Sequence, residues 1–184
     1  MTSAAARAVD ARIRAATADD LPSLRDILNT EILTSTASWT TSVRTLEQMH
    51  AWLSGRLADD FPVLVAECPT SATIAGYASY GPFRKGEGYA GTVEHSVYVH
   101  RDFRGRGFAA CLVSVLLSRA ADAGKRLMIG GISSDAEPSL RLHRKLGFRE
   151  VGRIPGAGHK FGRSLDLILM ARSLVPGETA QRLH

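Results

Sequence analysis

The chain has 184 residues and a formal net charge of +5. Hydrophobic residues make up 45% of it, and it contains two cysteines. These values predict one domain at residues 11–174, with tails at residues 1–10 and 175–184. The small number of cysteines predicts a reducing cytoplasm and excludes a disulfide scaffold or a zinc site. Because no apolar run could span a bilayer and the basic residues are not massed in one tract, neither a membrane nor a nucleic acid is expected as a partner.

The first half of the chain predicts a strand, two helices and two further strands. Thr17 is expected to cap the first helix, and the second helix opens on the capping-box pattern Thr45–Gln48. The second helix has an apolar stripe at helical spacing: Leu46, Met49, Leu53 and Leu57. The strands are placed at Arg12–Ala16, Pro62–Glu67 and Thr73–Tyr80.

The second half alternates strands and helices after a long glycine-rich loop at Gly81–Gly91. Helices are predicted at Gly107–Ala123 and Pro138–Leu146. Strands are predicted at Thr92–His100, Leu127–Ile132, Phe148–Ile154 and Leu165–Ala171. Hairpin-connected strands followed by crossover helices predict an α/β fold, with a mixed, mostly antiparallel central sheet of about seven strands flanked by four helices.

One segment between a strand and a long helix has the composition of a phosphate site: Arg104–Gly105–Arg106–Gly107–Phe108–Ala109. Gly105 and Gly107 can adopt a positive φ, which lets backbone amides at a helix N-terminus approach an anion. Arg104 and Arg106 can add charge-assisted hydrogen bonds, which favours this interpretation over a plain turn. The segment lacks the Gly-Lys-Ser/Thr ending of a P-loop and the third glycine of a dinucleotide fingerprint.

This segment resembles the acetyl-CoA pyrophosphate loop of the GCN5-related N-acetyltransferase (GNAT) superfamily, and Val97–Val99 and Leu146–Phe148 match the same superfamily. Four segments resemble a narrower group, the phosphinothricin or methionine sulfoximine/sulfone N-acetyltransferases: Tyr80–Arg84, Thr92–Val99, Leu142–Phe148 and Gly158–Asp166. The resemblance implies the GNAT fold, a homodimer, and acetyl transfer from acetyl-CoA to the α-amine of a small amino-acid analogue.

The resemblance also implies where acetyl-CoA binds. It places the pantetheine arm and its surroundings along Val97, Tyr98 and Val99, where the strand splays from its neighbour, with Ser139 as a further contact. One departure stands out, because Ala136 occupies the position where the family usually has an Asn that contacts the cofactor. Ser134 and Asp135 are the two neighbours that could replace that contact.

Two residues are candidates for catalysis. A substrate amine is a cation at neutral pH and must lose a proton, so a carboxylate inside an otherwise apolar strand, Glu94, is the candidate base. The alternative for Glu94 is a salt bridge to an arginine. His143 lies one helical turn after Ser139 and could protonate the leaving thiolate or assist deprotonation, with a packed histidine as the alternative.

Substrate contacts are implied in the loop before the Glu94 strand and in the strand itself: Arg84, Lys85, Gly86, Glu94, His95 and Ser96. A substrate with a carboxylate and a second polar group needs such cations, although a solvated loop is the alternative. His95 is expected to be a packed or wall residue rather than a base. Thr36 and Trp39 lie in a loop that the resemblance places over the substrate, across the dimer, with a core or interface aromatic as the alternative for Trp39.

Two other functions remain open at this point. The enzyme could acetylate another amine, such as a protein N-terminus, a polyamine or an aminoglycoside, although the basic Arg84–Lys85 pair argues mildly against cationic substrates. The chain could also be a non-catalytic module that senses acyl-CoA, against which the presence of both Glu94 and His143 counts. No pair of histidines suggests a metal, so none is expected.

Overall fold

The computed structural model describes residues 11–177. Its strands are β1 (Arg12–Ala15), β2 (Val63–Glu67), β3 (Ile74–Pro82), β4 (Thr92–Val99), β5 (Leu127–Ser133), β6 (Arg149–Lys160) and β7 (Arg163–Ser173). Its helices are α1 (Leu21–Thr34), α2 (Leu46–Ala58), α3 (Phe108–Asp122) and α4 (Glu137–Lys145). The predicted order and fold class are confirmed. Most of the two predicted tails, residues 1–10 and 178–184, lies outside the described residues.

All seven strands form one sheet in the order β1-β2-β3-β4-β5-β7-β6, and its pairs are antiparallel except for β4 and β5. Those two strands pair in parallel only from Thr92 to Glu94. Beyond Glu94, β4 continues to pair with β3 as far as Val99, while its other edge separates from β5. This separation is the splay that the resemblance implies, and it opens a cleft in the middle of the sheet.

Each face of the sheet carries its own pair of helices. Because side chains alternate along β3, Tyr77 packs with α1 and α2, whereas Tyr80 packs on the opposite face. The opposite face is filled by residues of α3 such as Phe108, Leu112 and Leu116. No helix within residues 11–177 is long and apolar enough to cross a membrane.

The end of α2 departs from its predicted stripe. The capping box at its start is confirmed, since Gln48 N–H donates to Thr45 Oγ1 at 3.2 Å and Thr45 N–H donates to Gln48 Oε1 at 3.1 Å. Leu57, however, is 57% exposed, so its placement in the core was wrong. The last turn of α2 instead directs Arg56 towards the end of β3, where its guanidinium covers Gly81.

The last hairpin is longer than predicted. The glycines from Gly156 to Gly162 favoured a loop after the predicted strand Phe148–Ile154, yet β6 runs to Lys160 and pairs with β7 along its length. A bulge between Ile154 and Gly158 takes up the extra residues, and Gly156 has a φ of 62° there. The extended hairpin therefore reaches the connection between α1 and α2.

Candidate active site

The separation of β4 from β5 forms a cleft of about 340 Å³. Seven of the predicted site residues line it: Glu94, His95, Ser96, Val97, Tyr98, Ser139 and His143. The cleft is also lined by residues that the sequence did not single out as functional: Ala37, Arg56, Gly81, Pro82, Gly130, Gly131 and Ile132. Ala136, where the family usually has an Asn, lies on the cleft wall as well.

Glu94 lies where the pairing of β4 with β5 ends. Its Oε1 passes over the backbone of Gly131, 3.1 Å from where a Cβ would be. Partial burial raises the pKa of Glu94, while the positive charge of Arg84 opposes that rise. Within residues 11–177 the carboxylate makes no hydrogen bond or ion pair. A carboxylate without a partner and with a raised pKa is suited to accept a proton from an ammonium group.

His95 and His143 form a buried pair, with their Nε2 atoms 3.1 Å apart. Nδ1 of His143 lies 2.7 Å from the backbone oxygen of Ser139, which can only accept, so this nitrogen carries the proton. Nε2 of the same ring must then accept from Nε2–H of His95. In this arrangement both rings are neutral, and the remaining Nδ1 of His95 is buried without a partner among the described residues.

Burial keeps both rings neutral. It lowers the pKa of His95 to about 3, with a smaller contribution from His143, and it lowers the pKa of His143 as well. Both nitrogens of His143 have internal partners, so the ring presents no free donor to the cleft without rearrangement. The catalytic role of His143 stays a prediction.

The neutral pair predicts a loss of stability in acid. Below the unfolded pKa of about 6.5, the unfolded chain binds protons that the folded pair does not, so the free energy of unfolding falls as the pH falls. For His95 the expected loss is about 2 kcal/mol by about pH 5. His95→Gln can still donate to His143 but does not titrate, so its urea-unfolding free energy should vary less between about pH 6.5 and pH 5. If the unfolding free energy changes equally with pH in the wild-type protein and the variant, the assignment of a neutral histidine pair is wrong.

The segment from Arg104 to Ala109 has the backbone expected of an anion site. Gly105 has a φ of 72°, and Gly107 has a φ of 93° as the N-cap of α3. The first amides of α3 have no partner within the helix and point out of its N-terminus. Nothing lies within 4 Å of a Cβ position at Gly105, so the space beside this glycine is open.

The two arginines of this segment have partners within the protein. Arg104 forms an ion pair with Glu31, a buried residue of α1, whose other oxygen accepts from Ser35 Oγ at 2.6 Å. The guanidinium of Arg106 lies over the ring of Phe103, 5.1 Å from its centre. The positive charge of Arg104, predicted to bind phosphate, therefore pairs with the carboxylate of Glu31. The cofactor role of both arginines stays a prediction.

Hydrogen bonds from Lys160 of β6 hold the loop that follows α1. The buried ammonium of Lys160 donates to the backbone oxygen of Ser35 at 2.8 Å and to that of Ser38. Trp39 lies against Gly158, where a Cβ would approach Cδ2 of the indole to 2.6 Å. The predicted substrate residue Trp39 is thus held within the chain, beside the cleft rather than in its lining.

Thr36 ties the same loop to the segment before α4. Its hydroxyl donates to Asp135 Oδ1 at 2.8 Å, which also accepts from Ser133 Oγ at 2.7 Å. Arg163 donates to the second oxygen of Asp135 at 2.9 Å. These donors, Ser133 above all, lower the pKa of Asp135 and engage both of its oxygens. Of the two neighbours that could replace the missing Asn at Ala136, Asp135 therefore already accepts hydrogen bonds within the protein on both of its oxygens.

The loop predicted to bind substrate lies outside the lining of the cleft. Arg84 stacks on Phe83 with its Cζ 5.1 Å from the ring centre, and Gly86 has a φ of 113°. The field of Arg84 nevertheless reaches Glu94. Substrate contacts by Arg84, Lys85 and Gly86 stay predictions. Among residues 11–177, no cluster of three or more His, Cys, Asp or Glu residues is arranged to hold a metal.

The acetyltransferase (GNAT) domain family model matches residues 13–169, nearly the whole described chain. The chain belongs to the GNAT acetyltransferase family. This GNAT chain is 41% identical over 172 residues to the L-methionine sulfoximine/L-methionine sulfone acetyltransferase of Pseudomonas paraeruginosa, which covers 94% of this chain and 99% of the relative. It is therefore an enzyme, an N-acetyltransferase.

Two solved structures show the same GNAT fold. The phosphinothricin acetyltransferase of Sinorhizobium meliloti, in complex with AcCoA, has a TM-score of 0.86 and 32% identity, covering 89% of this chain and 88% of that chain. The ribosomal-protein-alanine N-acetyltransferase of Brucella melitensis has a TM-score of 0.85 and 42% identity, covering 88% and 99%. The two names describe different acceptors, which bears on the substrate proposed below.

Proposed function

We propose that this enzyme transfers an acetyl group from acetyl-CoA to the α-amine of a small amino-acid analogue, of the methionine sulfoximine, methionine sulfone or phosphinothricin type. The observation that carries the proposal is the carboxylate of Glu94, which has no hydrogen-bond or ion-pair partner among residues 11–177 and lies in the cleft where β4 separates from β5. The names of the Pseudomonas and Sinorhizobium relatives support this substrate class.

The residues present fit acetyl-CoA. Gly105, Gly107 and the amides at the start of α3 would hold the pyrophosphate, since this backbone concentrates donors at a helix N-terminus. The edge of β4 from Val97 to Val99 that faces away from β3 would hold the pantetheine arm. When bound, acetyl-CoA supplies an activated acetyl group as a thioester.

Glu94 serves as the base in this proposal. The ammonium of the substrate gives a proton to the carboxylate, and the neutral amine then attacks the acetyl carbonyl. The C–N bond forms as the C–S bond of the thioester breaks, and the departing CoA thiolate takes up the second proton lost from the nitrogen, which leaves an amide and a free thiol. Neither Cys68 nor Cys111 lines the cleft, so direct attack within a ternary complex is favoured over transfer through an acetylated cysteine. The raised pKa of Glu94 brings its basicity closer to that of the amine it deprotonates.

A substrate panel tests the proposal. Thiol release from acetyl-CoA should be fastest with methionine sulfone, methionine sulfoximine or phosphinothricin, and much slower with spermidine and kanamycin. No turnover on any α-amino acid would overturn the proposed function.

A second acceptor is suggested by the name of the Brucella structure, which is 42% identical to this chain. Its name points to the N-terminal amine of a protein. A short peptide that begins with alanine therefore belongs in the same panel, and a peptide turned over faster than every amino acid would favour this alternative. The homodimer implied by the resemblance is kept as a prediction, to be checked by light scattering.

A further inference from the structure

Arg56 is a cation in the cleft that the sequence did not single out. It lies in the last turn of α2, and its guanidinium occupies the space above Gly81, where a Cβ would lie 2.6 Å from Cζ. The side chain is fixed in place partly by Phe61, whose ring centre is 5.8 Å from Cζ. Its Nε is buried without a hydrogen-bond partner among residues 11–177.

The sheet register places this guanidinium over the residue that pairs with the candidate base. Gly81 of β3 is the direct partner of Glu94 on β4. Partners in an antiparallel pair direct their side chains to the same face, with Cβ positions roughly 5 Å apart. Arg56 therefore takes the place of the side chain that Gly81 lacks, on the same face as Glu94, and both residues line the cleft.

Arg56 takes part in no ion pair among the described residues, and Asp59 acts on it only through its field. Burial lowers the pKa of this arginine, which reflects the cost of withdrawing the cation from water. A partly buried guanidinium without a counter-ion is unfavourable unless an anion binds there.

We propose that Arg56 binds the α-carboxylate of the amino-acid substrate. An amino acid carries its ammonium and carboxylate on one carbon, and Glu94 and Arg56 present a carboxylate and a guanidinium to the same cleft from one face of the sheet, without forming an ion pair with each other. The two terminal nitrogens of Arg56 suit the two oxygens of a carboxylate. Arg56 would then select acceptors with a free α-carboxylate and reject peptide N-termini and simple amines. This inference rests on the proposed function.

A comparison of two acceptors tests the inference without any mutation. Methionine sulfone and its α-carboxamide differ in the negative charge that Arg56 would bind; the amide also has a less basic α-amine, which favours its reaction and so acts against the expected preference for the acid. We expect the free acid to have a kcat/KM roughly 10- to 100-fold higher than that of the amide in the wild-type enzyme. Equal values for acid and amide would overturn the inference while leaving the proposed function intact. Failure to acetylate either compound would instead count against the proposed function.

Substitution then assigns the preference to Arg56. Arg56→Met should lower kcat/KM for the acid to about the value for the amide, without changing the KM for acetyl-CoA, and Arg56→Lys should retain part of the preference. Lys125→Met is the matched control, since Lys125 also lies over Phe61 but is not in the cleft. It should keep the wild-type ratio.

Arg84 is the competing cation, because its field also reaches Glu94. If Arg84→Met abolishes the preference for the acid and Arg56→Met retains it, the carboxylate is bound by the loop and the inference is wrong. If Arg56→Met lowers activity on acid and amide by the same factor, Arg56 has only a structural role. Thermal unfolding of each variant shows whether it folds, and the acid-to-amide ratio remains interpretable for a partly active variant.

Discussion

Glu94→Gln is expected to lower kcat by roughly 10²- to 10⁴-fold, with the KM for acetyl-CoA within about twofold of wild type. The amide has the shape of the carboxylate but cannot accept the proton of the substrate ammonium. Because the pKa of Glu94 is raised, the wild-type kcat/KM should fall with decreasing pH already above the ordinary range of a glutamate. That acidic limb should disappear in the variant.

Glu87→Gln is the matched control for this experiment. Glu87 lies in the loop between β3 and β4, close in sequence to Glu94, but it does not line the cleft. Its replacement should leave kcat and the pH dependence unchanged. A Glu94→Gln enzyme that retains the wild-type acidic limb would show that another group accepts the proton.

Gly107→Val is expected to raise the KM for acetyl-CoA by roughly 10- to 100-fold and to destabilise the protein by about 1–3 kcal/mol. Gly107 has a φ of 93° as the N-cap of α3, a conformation that a β-branched residue adopts only with strain. A side chain there would also stand between the helix amides and a phosphate. Steady-state kinetics and urea unfolding separate the two effects.

Gly124→Val separates backbone strain from ligand binding. Gly124 follows the other end of α3 with a φ of 71°, and nothing lies within 4 Å of its Cβ position. This variant should lose a similar amount of stability while keeping the wild-type KM for acetyl-CoA. If the two variants have the same KM, the segment from Arg104 to Ala109 does not hold the pyrophosphate.

The order of elements could be predicted because each depends on local signals. Apolar spacing marked the strands and helices, the Thr45–Gln48 capping box marked the start of α2, and Gly124 and Gly147 marked two helix ends. The sequence could not show that a bulge extends β6 to Lys160, since glycines occur in loops and in bulged strands alike.

The sequence analysis did not single out Arg56 and Glu31, although the position of each on its helix marks it as unusual. Arg56 follows Met49 and Leu53 on the apolar stripe of α2, and Glu31 follows Leu24 and Ile27 on that of α1. A charge on an apolar stripe is unfavourable unless it finds a partner. Glu31 forms an ion pair with Arg104, whereas Arg56 has no such partner among residues 11–177.

The histidine pair could not have been predicted from one sequence. His95 and His143 are 48 residues apart, and their contact depends on how β4 and α4 pack around Phe148. Sequence spacing indicated that His143 shares a helix face with Ser139, but not that both of its nitrogens are engaged inside the protein. For this reason His143 would have to rearrange before it could act as the proposed acid, whereas the carboxylate of Glu94 has no hydrogen-bond or ion-pair partner among residues 11–177.

The central claim is that acetyl passes from acetyl-CoA to the α-amine of a small amino-acid analogue, with Glu94 as the base. Mass spectrometry of methionine sulfone incubated with isotopically labelled acetyl-CoA and enzyme tests it directly. Labelled N-acetyl methionine sulfone should accumulate with the wild-type enzyme and almost none with Glu94→Gln. Absence of that product with the wild-type enzyme, or equal amounts with both enzymes, would contradict the claim.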